Sequence, residues 1–162
     1  MHSARAWRLP ADVDTDQLAP GHAMKHGIEV IARHCLEAVR PEFAAGVRPG
    51  DVIVAGPGFG IGSSREQAAS VLVQLGVAAV IAPTFGGLFF RNAFNVGLLL
   101  LTCAEAQRIP NGAALHIDAG AARLTLADGT VLITEALPAF LLEMVAAGGL
   151  LPQLERRFRG HP

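Results

Sequence analysis

Residues 56–66, Gly-Pro-Gly-Phe-Gly-Ile-Gly-Ser-Ser-Arg-Glu, hold the groups best suited to chemistry. Four glycines alternate with other residues, and then two hydroxyls and an Arg-Glu pair precede an apolar segment. The run before them, 51–55, reads as a buried strand, and 64–75 reads as a helix. A strand, a glycine loop and a hydroxyl-marked helix start gather backbone N–H groups around an anion. Glycines without a Cβ let the main chain approach a ligand closely. Ser63 and Ser64 can cap the helix or present hydroxyls to a substrate. Arg65 adds a planar fork that fits a carboxylate. The first inference is a small anionic substrate.

Two nucleotide loops are excluded by spacing. A P-loop needs Lys-Ser/Thr after its last glycine, whereas Gly62 is followed by Ser63-Ser64. The dinucleotide fingerprint needs a glycine three places after its second, and Ile61, Ser63 and Arg65 fill those places. Composition narrows the field further. Half of the 162 residues are hydrophobic, 17% are charged and the net charge is −1. Nothing in that balance attracts nucleic acid or an anionic membrane surface. With no tyrosine and one tryptophan, Trp7, there is no stacking surface for single strands. Low charge and a mean hydropathy of +0.40 point to apolar surface covered by another chain, or by a second copy when the chain is isolated.

Cys35 and Cys103 are far apart in sequence and read as buried thiols of a cytoplasmic protein. Two cysteines alone cannot hold an iron–sulfur cluster or a structural zinc. The apolar stretch 71–90 is interrupted by Gln74, Gly76, Pro83 and Gly86-Gly87, so it reads as core strand, loop and helix rather than a membrane span.

The elements that must position the loop follow from periodicity. Strands are expected at 4–9, 52–55, 78–82 and 98–102, and helices at 28–39, 64–75 and 86–95. The βαβαβ order implies a parallel sheet with right-handed crossovers. Beyond Arg108 the pattern alternates at 115–118 and 123–127, turns at Asp128-Gly129 and returns over 130–134. Helices at 139–147 and 152–157 finish the chain. The expectation is one mixed α/β domain over 1–162, with a parallel core and a C-terminal antiparallel section. Between strand and first helix, 12–21 reads as loop, in which Asp12, Asp14 and Asp16 are either a solvated turn with Asx bonds or a carboxylate that orients a catalytic group or a substrate hydroxyl. Periodicity favours the turn. The six histidines form no metal pattern, since Gly27 separates His22 and His26 from His34. Glu66 is expected to pair with a cation or a helix end.

A family pattern then emerges. Asp14-Thr-Asp-Gln-Leu-Ala-Pro20, Val54 to Glu66, Ala79-Val-Ile-Ala-Pro-Thr-Phe85, Phe89-Phe-Arg-Asn92 and Asn95-Val-Gly-Leu-Leu99 occur in order. In these segments the chain resembles the small subunits of 3-isopropylmalate dehydratases, the swivelling domain of the aconitase superfamily. The resemblance runs from about Trp7 to the last helix. It implies a swivelling β/β/α fold closing over a large partner subunit that carries a [4Fe–4S] cluster. It implies reversible removal and re-addition of water on a small hydroxy-diacid, in leucine biosynthesis. By position, Ser63 corresponds to the base that takes the carbon-bound proton, Arg65 to the carboxylate clamp and Asp16 to an active-site aspartate. Ser64, Gly62 and Lys25 correspond to substrate-binding positions. No metal or cofactor ligand falls on this chain.

Three departures stand out against the family pattern. Ile61 replaces a cysteine, Gln67 replaces a histidine, and His22-Ala-Met-Lys25 stands where Arg-Tyr-Leu-Arg is common. Lys25 can supply a point charge but not a bidentate fork. The substrate's side group is therefore less fixed than the reaction. Homoaconitate-like acids, alkylmalates such as dimethylmalate and a non-catalytic partner-binding role stand as alternatives.

Overall fold

The computed structural model describes residues 4–159. The outermost three residues at each end of the expected 1–162 domain lie outside it. Seven strands form one sheet: β1 (Ala4–Leu9), β2 (Val52–Ala55), β3 (Ala79–Ala82), β4 (Leu99–Thr102), β5 (Ala114–Asp118), β6 (Arg123–Leu126) and β7 (Val131–Ile133). Their order is β4-β3-β2-β1-β5-β6-β7. From β1 to β4 the pairing is parallel, and from β1 through β5, β6 and β7 it is antiparallel. This is the expected mixed α/β architecture, joined at β1.

The parallel strands read as unbroken apolar runs because both of their faces are buried. Ile53, Ala55, Val80, Ala82 and Leu100 face one core with Phe43, Phe59, Leu72, Phe89 and Phe94. Their neighbours Val52, Val54, Ala79, Ile81 and Leu101 face a second core with Leu115, Leu124 and Leu132. That sharing means the antiparallel half curls back over the parallel half. Each fully buried Leu, Ile or Phe contributes about 1.5–3 kcal/mol relative to exposure.

Among the described residues seven α-helices complete the fold: α1 (Thr15–Leu18), α2 (Ile28–His34), α3 (Phe43–Gly46), α4 (Gln67–Gln74), α5 (Gly87–Asn95), α6 (Ala139–Ala147) and α7 (Leu150–Arg159). A 3-10 turn, Gly21–His26, lies between α1 and α2. Three expectations need correction. The stretch 12–21 is not all loop, because Asp14 caps α1 in a reciprocal pair with Gln17. The helix expected over 28–39 stops at His34, since Leu36 adopts a left-handed φ of 61°. The last helix extends beyond 152–157, so Arg156, Arg157 and Arg159 form its basic final turn. No described helix is long and apolar enough to cross a membrane.

Asp51, at the entry to β2, is a buried carboxylate that fastens β1 beside it. One oxygen accepts from Arg5 Nη2 at 2.8 Å, Trp7 Nε1 at 2.9 Å and the Arg48 N–H at 2.9 Å. Burial pushes its carboxyl up, but these three donors outweigh burial and hold it below its ordinary value. A depressed carboxyl adds stability above its unfolded pKa of about 3.9 and loses it as pH falls through the folded value. Asp51→Ala is expected to cost about 2 kcal/mol at pH 7, with the gap to wild type narrowing below about pH 4. Urea midpoints at the two pH values check this.

Candidate active site

The glycine loop leaves the carboxyl end of β2, and the Asp-rich segment leaves the carboxyl end of its parallel neighbour β1. Ligands of open α/β sheets bind at that edge. The two segments are stitched together by backbone bonds. Asp12 N–H donates to Pro57 O at 2.8 Å, Gly60 N–H to Val13 O at 2.7 Å and Thr15 N–H to Ile61 O at 2.9 Å. The loop after β3 joins them, with Gly58 N–H donating to Thr84 Oγ1 at 2.8 Å.

The glycines serve a different purpose from the one expected of them. A Cβ at Gly56 would sit 2.8 Å from the Ala11 backbone, one at Gly58 2.4 Å from Asp12 Oδ1, and one at Gly60 2.3 Å from Phe89 Cγ. At these three positions the main chain closes onto the protein's own residues rather than opening to a ligand. Gly62 is the last of the series, with φ +107° and an added Cβ 3.0 Å from Thr15 Oγ1. It turns the chain so that Ser63 emerges exposed beside buried Thr15.

Ser63 and Ser64 do not cap the helix. α4 begins at Gln67, and Glu66 occupies the N-cap position without a side-chain bond or an ion pair to a described residue. Freed from capping, the Ser63 hydroxyl lies 3.4 Å from Thr15 Oγ1, long for a hydroxyl pair. Ser64 is exposed, and its carbonyl accepts from Asn92 Nδ2 on α5 at 3.4 Å. From Gly62 to Gln67, no main-chain N–H donates to a described residue. Those donors border Ser63, ahead of the start of α4.

Arg65 Nη1 donates to Asp16 Oδ1 at 2.9 Å and to Ala19 O at 2.7 Å. Both bonds leave one nitrogen, so the Nε/Nη2 edge carries no bond to a described residue. Asp16 also accepts from Gly21 N–H at 3.1 Å. The Arg65 guanidinium, and then that N–H, hold the Asp16 carboxyl below its ordinary 3.8. Two of the three aspartates thus divide: Asp14 caps α1, while Asp16 orients an arginine. Asp16, Gly62, Ser63 and Arg65 come together, and Ser64 adjoins them through the chain. Lys25 does not touch them. It is exposed in the 3-10 turn, which the Asp16–Gly21 bond ties to the site. Ile61 is 38% exposed alongside. Thr15 is the residue that sequence reasoning passed over, although it is the centre of Asp14-Thr-Asp16.

The two cysteines do not suit an iron–sulfur cluster. Cys35 is buried in the core beneath α2 and Cys103 in the opposite core, and burial pushes both thiols up. Thiolate ligands at this site cannot come from this chain. His22 and His26 are exposed and His34 is half-buried, as surface histidines. Gly27 does break the helix, yet His22 and His34 both reach Glu37, whose carboxyl they hold below its ordinary value.

Comparison with known proteins finds relatives over nearly the whole chain. Residues 42–106 match the aconitase C-terminal domain. The chain is 38% identical to a 3-isopropylmalate dehydratase small subunit of Syntrophus aciditrophicus, with 98% of each chain covered. It is 41% identical to small subunit 1 of that enzyme from Archaeoglobus fulgidus, covering 91% of this chain and 92% of the relative. The crystal structure of 3-isopropylmalate dehydratase (LeuD) from Methanocaldococcus jannaschii superposes with a TM-score of 0.89 at 36% identity, over 96% of this chain and 93% of the other. With its motifs, sheet order and near full-length similarity in agreement, the chain belongs to the family of 3-isopropylmalate dehydratase small subunits.

Proposed function

We propose that this chain supplies the proton-transfer half of a two-subunit hydro-lyase that dehydrates and rehydrates 3-isopropylmalate or a close hydroxy-diacid. The observation that carries the reading is Ser63: an exposed, uncapped hydroxyl bordered by free N–H groups, the Thr15 hydroxyl and an arginine already oriented by Asp16.

A serine hydroxyl is a very poor base in water, so it needs surroundings that favour its alkoxide. Free N–H groups of 62–67, the Thr15 O–H and the Arg65 charge provide preorganised donors. The alkoxide takes the proton from the substrate carbon while the C–H electron pair forms the double bond and hydroxide leaves into the large subunit's half of the site; when water is re-added, the serine hydroxyl returns the proton to carbon. Arg65 is anchored through Nη1, leaving its Nε/Nη2 edge for a substrate carboxylate in the bidentate geometry of such pairs. Ser64 and the turn at Gly62 shape the wall beside that carboxylate. Lys25, on the turn tied to Asp16, faces the variable part of the substrate as a point charge. That turn favours a second reading, a related homoaconitate or alkylmalate substrate, because a lysine there does not reproduce an arginine fork.

The cluster of the aconitase superfamily belongs, in this reading, to the large subunit, since the cysteines here are buried on opposite faces of the sheet. The isolated chain is therefore expected to be inactive, with turnover appearing on addition of a cluster-loaded large subunit. An assay of the reconstituted pair against several hydroxy-diacids tests this, and turnover by the small chain alone would refute it. Arg65→Lys is expected to raise KM and lower kcat together, because one charged fork contact is worth about 1.5–3 kcal/mol. An unchanged kcat/KM removes the clamp role.

A further inference from the structure

His22, His34 and Glu37 stand together without a part in the chemistry above. His22 Nε2 lies 2.7 Å from Glu37 Oε1, and His34 Nδ1 lies 2.7 Å from Glu37 Oε2. The two imidazoles meet edge to face, with ring centres 4.8 Å apart and planes at 80°. One possible ligand atom from each residue lies within 4.8 Å of the other two. The three come from separate pieces of backbone. His22 is in the 3-10 turn, His34 ends α2, and Glu37 follows the reversal at Leu36. Leu36 is fully buried, holds its left-handed φ, and donates its N–H to Gln17 O at 2.8 Å. The backbone that presents Glu37 is therefore fixed from two sides.

We propose that His22, His34 and Glu37 form a binding site for a divalent transition metal of the zinc class. Two imidazoles and one carboxylate are a donor set that zinc accepts, with a water in the fourth position. Tetrahedral zinc with bonds of about 2.1 Å separates its ligands by about 3.4 Å. Reaching that spacing requires the His–Glu contacts to open slightly and the imidazole nitrogens to approach. Side chains that are 39–59% exposed have the rotational freedom for both. An exposed position leaves the fourth ligand to solvent. The bound ion would pin the turn carrying Lys25 to the end of α2. The proposal does not depend on the reaction assigned above, because the site shares no residue with Ser63, Arg65 or Asp16.

The test is a titration of the chelator-stripped full chain with Zn²⁺ alone and, for spectroscopy, with Co²⁺ alone. One equivalent is expected to bind the wild type, with the intense visible bands of four- or five-coordinate cobalt, and zinc is expected to raise the thermal midpoint. His22→Ala and Glu37→Gln should each weaken that equivalent by more than about tenfold and abolish the thermal shift. Glu37→Gln keeps an amide oxygen that accepts from one imidazole and an NH2 that donates to the unprotonated nitrogen of the other, so its loss of metal cannot be assigned to a lost hydrogen-bonded turn. His26→Ala and His116→Ala should retain the equivalent. The proposal is overturned if the wild type binds no zinc at about 100 μM metal, well above the range expected of such a donor set. It is also overturned if the bound equivalent survives both His22→Ala and Glu37→Gln.

Discussion

Ser63→Ala is expected to reduce turnover of the reconstituted enzyme by about 10²–10⁴-fold, the range that a positioned proton-transfer group supplies. The hydroxyl is exposed, caps no helix, and has the 3.4 Å Thr15 contact as its side-chain partner. Removing it should therefore leave the urea midpoint and the association with the large subunit nearly unchanged. A loss confined to kcat separates proton transfer from the substrate binding proposed for Arg65. The decisive measurement is exchange of the substrate's carbon-bound hydrogen with solvent. Retained exchange in Ser63→Ala would show that another group takes the proton, and Thr15 is the hydroxyl nearest to hand.

Gly60→Ala is expected to produce the largest loss of stability of any single methyl added to the loop. Two costs combine. The residue has φ +82°, where an L side chain costs about 1–2 kcal/mol. Its Cβ would also lie 2.3 Å from Phe89 Cγ, inside a ring that is buried and packed edge to face on Phe59 at 5.4 Å. Overpacking of that kind costs about 1–3 kcal/mol. Together they predict a loss of about 2–5 kcal/mol, read from denaturant midpoints. Gly87→Ala is the matched control: its φ is not in the positive range, and nothing lies within 4 Å of its added Cβ. A change at Gly60 no larger than at Gly87 would show that the loop has room to shift.

Sequence made the parallel half legible because strands buried on both faces leave an unmistakable trace, as in Val52–Ala55 and Ala79–Ala82. The hairpin at Asp128-Gly129 was equally plain from its turn residues. The glycine loop was found for a partly wrong reason. Its spacing suggested ligand approach, whereas Gly56, Gly58 and Gly60 close onto Ala11, Asp12 and Phe89, contacts that cross the fold. The hydroxyls of Ser63 and Ser64 imitated helix caps, so the start of α4 was read too early. No local pattern pairs Asp16 with Arg65, because their bond joins segments 49 residues apart. Among Asp12, Asp14 and Asp16, only the family resemblance singled out Asp16. The imidazole pair was hidden by Gly27, which breaks the helix yet lets the turn fold back toward His34.

The place of β1 in the sheet order carries one more consequence. One partner, β2, is the next strand to be made, but the other, β5, emerges from the ribosome after all four parallel strands are made. Until Leu115 arrives opposite Ala4, the nascent protein carries an open hydrogen-bonding edge and an uncovered oily layer over Val54 and Ile81. Late, long-range zipping of this kind is slow. Chains released before residue 114 would therefore be prone to stick to one another, and a chaperone's attention should fall on that layer.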